Sequence, residues 1–323
     1  MSDPDLTLRP HVYAVGMRTR FRGITRREGV LVRGRAGWGE FSPFWDYTDE
    51  QCVPWLRSAA EAADVGWPAS VRDRIPVNCT VPAVVPEQAA AVVAASHGCR
   101  TAKVKVGEPG QPFRADVDRV AAVRQALGAT GKVRIDVNGA WSVEEAVERI
   151  GVLARFDLEY VEQPCRSVAE LAAVRRSVDV PIAADESIRR AADPFRVAAE
   201  GAADIAVLKV APLGGVAASL DIAARIGLPV VVSSALESAV GIAAGLALAA
   251  ALPELPYACG LATGALLDRD VVSEPLTVAD GMLAVEAPAP SLASLSAVAA
   301  DYETTGRWLG RMERVRALAE DAA

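Results

Sequence analysis

Residues 101–107 read TAKVKVG and residues 133–139 read VRIDVNG, two short apolar runs that each end on charged groups and a glycine. The pattern continues as YVEQP at 160–164, PIAADES at 181–187, IAVLKV at 205–210 and PVVVSSA at 229–235. The polar residues closing these runs are Lys105, Asp136, Glu162, Asp185, Lys209 and Ser234, separated by 31, 26, 23, 24 and 25 residues. A repeat of this size holds one short strand, a three-turn helix and two loops. Between the runs the pattern turns helical: Val143, Ala146, Val147, Ile150, Leu153 and Ala154 share one face. Ser142 with Glu145 and Ser167 with Glu170 match a capping box, in which each side chain accepts from the other residue's free backbone N–H. Near-continuous apolar strands between amphipathic helices predict a parallel sheet buried on both faces. Eight β segments are expected, near residues 77, 103, 135, 161, 183, 207, 231 and 257, and eight such units close as a βα barrel. The alternative, an open doubly wound sheet, usually carries a glycine-rich phosphate loop after its first strand. Here VPAVVPE follows instead, at 81–87.

The flanks read differently. Residues 1–75 hold alternating, Arg-rich segments at 6–16, 18–33 and 31–40, broken by glycines as in an antiparallel meander, then a helical stretch over 49–63. Residues 76–265 form the barrel. Residues 266–323 return to strand-like, turn-rich composition (VVSEPLTVADGMLAVEAP at 271–288) and are expected to pack back on the N-terminal layer.

Composition narrows the function. The 323 residues carry a net charge of −7, which offers no basic footprint for nucleic acid or an anionic membrane. Five scattered cysteines without a CxxC pair fit free thiols in a reducing compartment. The opening MSDPDLTLRP has no apolar leader, and the alanine-rich run at 239–252 is too short to span a bilayer, so a cytoplasmic location is expected. Oligomeric state has no signature in the chain. Only two histidines occur, His11 and His97, which argues against a His-rich zinc site or a Ser-His-Asp triad. His97, in ASHGCR, reads as a structural residue at a helix end. Chemistry therefore falls to carboxylates, lysines or hydroxyls.

In a βα barrel the catalytic groups stand at the C-terminal ends of the strands. Those ends carry Lys103 and Lys105, Asp136 and Asn138, Glu162, Asp185 and Glu186, Lys209, and Ser233 and Ser234. Any one of them has a plainer explanation: an Asp at a strand end is often a helix cap, and a Lys-x-Lys pair is usually a solvated strand face. Five successive strands ending in charge are another matter, because converging buried charges are costly unless paired or metal-bound. Three carboxylates without His or Cys specify a hard cation, Mg²⁺ or Mn²⁺, at Asp136, Glu162 and Asp185. A dication beside a substrate carboxylate suits removal of the α-proton, since the metal stabilises the enediolate charge. The base must be a neutral amine near pH 7, and Lys105 has like charges nearby that lower an ammonium pKa.

AKVKVG (102–107), DVNGAW (136–141), VEQP (161–164), ADES (184–187), LKV (208–210) and SSALES (233–238) together resemble the enolase superfamily, muconate-lactonising-enzyme subgroup. RFRGITRREG (20–29) and GWGEFSPFWDY (37–47) extend the likeness to the o-succinylbenzoate synthase family. The resemblance implies an α/β fold, an enolase-type (β/α)7β barrel with an N-terminal α+β capping domain completed by the C-terminal tail. It implies Asp136, Glu162 and Asp185 as ligands of Mg²⁺, with Mn²⁺ as substitute. Lys105 would take the α-proton and then help hydroxide leave from the same face. Lys209, across the site, would stabilise the enediolate, and Lys103 would contact the substrate carboxylate. Asn138 and Glu186 would support these groups, Glu186 by orienting Lys209. Ser233 and Ser234 would line the pocket for a succinyl tail. The implied reaction is syn dehydration of a small dicarboxylate in menaquinone biosynthesis, with no nucleic-acid or membrane partner. Arg20 or Arg22 and Phe44 or Trp45 could cover the barrel mouth.

Two alternatives stay open. An N-acylamino acid racemase, or another member of the subgroup such as a muconate cycloisomerase, would use the same lysine pair. A dipeptide epimerase resembles the chain less, because paired acids at the eighth strand are replaced here by YACGLATG (257–264). A barrel retained only for binding would be free to lose some of these groups, and all are present.

Overall fold

The computed structural model describes residues 10–190 and 193–321. The expected β segment beginning at residue 6 lies partly outside them. Strand β1 (His11–Phe21) pairs antiparallel with β2 (Ile24–Arg33), and β2 with β3 (Trp38–Phe41). Arg22 and Gly23 both adopt positive φ (49° and 78°), so the β1–β2 hairpin turns on two left-handed residues. This differs from the expected break at Gly16, which lies inside β1. A Cβ at Gly16 would sit 2.4 Å from an Asp268 carboxylate oxygen, so the glycine marks a close approach rather than a strand end. The helix Asp49–Ala60 packs under this sheet, and Thr48 and Gln51 cap each other at its start.

After β4 (Arg74–Pro76) come seven parallel strands in sequential order: β5 (Cys79–Val81), β6 (Thr101–Lys105), β7 (Lys132–Asp136), β8 (Leu158–Glu162), β9 (Ile182–Ala184), β10 (Ile205–Lys209) and β11 (Val230–Ser233). The expected eighth strand near 257 is not a regular strand. Single bridges, Val77 to Cys259 and Ser233 to Gly260, join the two ends of the sheet through this segment and close the barrel. Alternate residues face opposite ways. Ala102, Val104, Val133, Ile135, Ala206 and Leu208 pack outward into the helices, whereas Tyr160, Ala183, Ile205, Val207 and Val231 fill the interior with Tyr257. Both faces are buried, which is why these strands read as continuous apolar runs. The two capping boxes read from the sequence form at Ser142 and Ser167 and start the helices Val143–Leu153 and Val168–Arg175.

The tail holds one short strand, β12 (Met282–Ala284), paired with β4, and then a 20-residue helix, Tyr302–Asp321, against the helix Asp49–Ala60 and β1. The helix departs from the strand-like expectation. Thr304, Trp308, Arg311, Met312 and Val315 form its buried face, at i, i+4, i+7, i+8 and i+11, a helical stripe. All five cysteines are buried and free. Among the described residues no helix is long and apolar enough to cross a membrane.

Candidate active site

Strand register builds the site. Lys105 pairs with Asp136 and Asp136 with Glu162 across β6, β7 and β8, so three inward side chains stand at one level at the C-terminal end. One layer below, Lys103 pairs with Arg134 and Arg134 with Tyr160. Asp185 follows β9 directly, and Lys209 ends β10 opposite Ser233 of β11.

The resulting contacts are ionic. Lys105 Nζ donates to Asp136 Oδ2 and to Asn138 Oδ1, both at 2.6 Å. Lys103 Nζ reaches both Glu162 oxygens at 3.0 and 3.1 Å and lies 3.2 Å from Asp136 Oδ2. Lys209 Nζ donates to Asp185 Oδ2 at 2.7 Å, and Arg189 Nε to Asp185 Oδ1 at 2.8 Å. Lys103, Lys105, Asp136, Asn138, Lys209, Ser233 and Ser234 line one cavity; Glu162 and Asp185 sit fully buried behind them. Phe21, Arg22 and Phe44 of the antiparallel layer roof this cavity, and Phe21 lies 5.3 Å from Lys105 Nζ. Of the four residues considered for covering the mouth, Arg22 and Phe44 do so. Arg20 is exposed, and Trp45 packs against Trp308 in an outer groove.

Burial and charge pull these groups apart. Burial pushes the Asp136 carboxyl up, but Lys105, Lys103 and Lys209 outweigh it and hold it well below the usual range. Asp185 is likewise held low, because Arg189 and Lys209 overcome its burial. Glu162 goes the other way: burial and the Asp136 charge raise it against Lys103. Burial also works against the Lys103 ammonium, yet Glu162 and Asp136 raise its pKa. Lys105 is depressed, first by burial, with Lys103 adding and Asp136 opposing. The sequence expectation credited like charges for a lowered Lys105, whereas desolvation is the larger cause. Neighbouring lysines with pKa values moved in opposite directions are the pattern of an acid–base site.

Two expected relations differ. Glu186 does not orient Lys209: its Oε1 accepts from Asn138 Nδ2 (3.1 Å) and Arg189, its Oε2 is buried without a hydrogen-bond partner, and Asp185 holds Lys209 instead. The three carboxylates share one mouth, but among the described residues no three acidic, His or Cys side chains are grouped closely enough to hold a metal. Amines and a guanidinium satisfy the oxygens a cation would take. The donor chemistry nonetheless fits a hard dication, with three buried carboxylates on neighbouring strand ends and an unsatisfied acceptor beside them.

Several site residues carry no assignment from the sequence. Gln163, next to Glu162 in VEQP, accepts from the Asp185 and Ser187 backbone N–H groups (3.0 and 3.2 Å) and so fixes the start of the ADES turn. Arg189 falls four residues after Asp185, a helical spacing that signals the pair. It also donates to the Tyr47 hydroxyl of the antiparallel layer. Thr263 joins its hydroxyl to that of Ser234 at 2.7 Å. Gly260 permits close packing, since a Cβ there would meet Ser233 Oγ at 2.5 Å.

Comparisons with known proteins give the family and the fold. Residues 85–290 match the enolase C-terminal domain-like family and residues 12–63 the enolase N-terminal domain-like family. The chain is 61% identical over 305 residues to the o-succinylbenzoate synthase of Thermobifida fusca, covering 94% of this chain and 95% of that protein. With the o-succinylbenzoate synthase of Mycolicibacterium smegmatis it shares 56% over 315 residues, 97% of each chain. The chain belongs to the o-succinylbenzoate synthase family of the enolase superfamily. It is accordingly a hydro-lyase, and enolase-superfamily membership carries dependence on a divalent metal. Solved structures place the fold of this family member. A substrate-liganded L-Ala-D/L-Glu epimerase from Bacillus subtilis superposes with a TM-score of 0.75 at 25% identity, covering 87% of this chain and 96% of that one. Muconate lactonizing enzyme from Pseudomonas fluorescens gives 0.75 at 23%, covering 93% and 97%.

Proposed function

We propose that the protein removes water from 2-succinyl-6-hydroxy-2,4-cyclohexadiene-1-carboxylate to give 2-succinylbenzoate, a step of menaquinone biosynthesis. One observation carries the residue roles: Lys105 and Lys209 line the same cavity, each tied to a different carboxylate, Asp136 and Asp185. Asp136, Glu162 and Asp185 would hold Mg²⁺, with Mn²⁺ as substitute, once the lysines swing off their oxygens. Bound there, the dication supplies electrostatic stabilisation for negative charge developing on the substrate carboxylate.

Lys105, kept less basic by burial, takes the proton α to that carboxylate as a neutral amine. The electron pair left behind forms the ring double bond as the neighbouring C–O bond breaks. The Lys105 ammonium returns its proton to the departing hydroxide, so one water leaves and the base is regenerated. Lys209 remains charged on the other side and stabilises the carbanionic electron density without transferring a proton. Lys103, its charge favoured by Glu162, contacts the substrate carboxylate, while Asn138 and Glu186 hold the lysine and ligand side chains in place. Ser233 and Ser234 receive the succinyl tail. Charge supports the substrate class. In the unliganded site Asp136, Glu162, Asp185 and Glu186 are matched by Lys103, Lys105, Lys209 and Arg189, so the charges of an entering dication and a doubly negative acid offset each other, and Lys105 gives up its proton before it acts as base. The same reading assigns residues 1–75 to a cap, 76–265 to the barrel and 266–323 to a segment completing the cap.

Because both amines reach the cavity, an N-acylamino acid racemase is the second reading. The deciding assay follows absorbance of the aromatic product under anaerobic conditions, with Mg²⁺ and after chelation. Product formation lost on chelation and restored by Mg²⁺ is expected; racemisation of an N-acylamino acid without dehydration overturns the proposal. Within the variants, a dehydratase tolerates Lys209→Arg better than Lys105→Arg, whereas a racemase suffers equally from both.

A further inference from the structure

The cavity wall contributed by Ala235 and Leu236 is not held by the barrel alone. Leu236 has φ +64°, a left-handed conformation that a branched side chain adopts only when its surroundings enforce it. Both residues line the cavity, in the loop between β11 and the helix Ala239–Ala251. The enforcing group comes from the antiparallel layer. Arg27 of β2, 2% exposed, donates through Nε to the Leu236 carbonyl at 2.9 Å and through Nη2 to the Ala235 carbonyl at 3.3 Å. Its other donors go to the Glu28 carbonyl (3.0 Å) and to the carbonyl and hydroxyl of Ser42. The guanidinium carbon lies 4.5 Å from the ring centroid of Phe44, which roofs the same cavity. The far end of the loop is tied to the same layer, because Glu40 accepts from the Ser238 and Gly241 backbone N–H groups at 3.1 Å each. One planar fork therefore fixes roof and wall together, a task its geometry suits and a single ammonium cannot perform.

We propose that Arg27 is a positioning residue for substrate recognition: it holds Leu236 in its left-handed conformation and thereby sets the shape of the pocket wall facing the non-reacting part of the substrate. The inference rests on the reading of this cavity as the substrate site. The reacting amines Lys105 and Lys209 hydrogen-bond to Asp136, Asn138 and Asp185, none of which Arg27 holds, so substrate binding should suffer and chemistry should not.

The test is a cycle. Arg27→Gln, with Arg27→Lys as the milder change should the first fail to fold, is expected to raise KM about tenfold while kcat stays within about threefold. In a Leu236→Gly background, where glycine adopts positive φ unassisted, the same Arg27 change should raise KM by less than about threefold. An equal rise in both backgrounds, or a fall in kcat at constant KM, overturns the proposal. Amide exchange over residues 234–241, measured without substrate, should quicken in Arg27→Lys; unchanged exchange also overturns it. If the wild-type chain fails to dehydrate the cyclohexadiene acid and exchange still quickens, the reaction reading falls and the positioning of the loop stands.

Discussion

Two buried acidic clusters flank the loop at 234–238, and they are neutralised by opposite means. At the barrel mouth Asp136, Glu162 and Asp185 face Lys103, Lys105, Lys209 and Arg189. At the seam between the antiparallel layer and the barrel, Glu40, Glu237 and Asp270 face mostly neutral donors. Glu40 accepts from the Tyr13, Ser42 and Ser238 hydroxyls, Asp270 from the Ala239 and Val271 N–H groups, and Glu237 from the Ala235 N–H. Arg27 is the cation close to both Glu237 and Tyr13 there. The pKa values follow. At the mouth, amines hold Asp136 low and the Arg189 guanidinium with Lys209 holds Asp185 low, Glu162 alone of the three being raised by burial; at the seam burial raises Glu237, and raises Asp270 to about 6. Mobile counter-charges suit a site that must exchange them for ligands; fixed dipoles suit a joint that must not move.

The sharpest way to break this contrast is to remove the amine proposed as base. Lys105→Ala should cut kcat by roughly 10²–10⁴-fold while the fold survives, because Lys103 still faces Asp136. Steady-state kinetics beside a thermal melt checks both halves. Asp185→Asn should abolish Mg²⁺ binding by calorimetry and, by leaving Arg189 and Lys209 buried against a neutral group, lower stability by about 3–5 kcal/mol in urea unfolding.

At the seam the expected effects are smaller and concern stability. Glu40→Ala strands several buried donors and should cost about 2–3 kcal/mol. The last test is the direction of pH dependence. With a folded pKa near 6, above its unfolded value, Asp270 gives its full stabilising contribution below about pH 4 and loses it as pH rises through 6. Asp270→Asn should flatten that limb by about 1–2 kcal/mol after screening. Asp185, depressed in the fold, has the opposite sign: its contribution is present above pH 4 and lost as pH falls. Parallel urea titrations at pH 2, 3, 4, 5, 6 and 7 separate the two, and a limb unchanged in Asp270→Asn would remove the contrast.

Legibility in the sequence followed the range of the interaction. The repeat of charge-ended strands, the two capping boxes and the inward partners Lys103 and Lys105 all rest on local periods of two or 3.6 residues. Gln163 and Arg189 were within reach of the same logic, by adjacency to Glu162 and by helical spacing from Asp185. The close approach of Gly16 to Asp268 and the closure of the barrel by single bridges at Cys259 and Gly260 join residues far apart in the chain. No local pattern encodes such partners.

The chain by itself determined the alternation of apolar strands and amphipathic helices, the order of charged strand ends, and thus which side chains stand at the barrel mouth. Only the tertiary structure decided which amine neutralises which carboxylate, that desolvation more than like charge depresses Lys105, and that Arg27 reaches across to Leu236. The physical reason is that periodicity fixes the direction a side chain points, whereas pairing, desolvation and strain depend on distances between segments that meet only after folding.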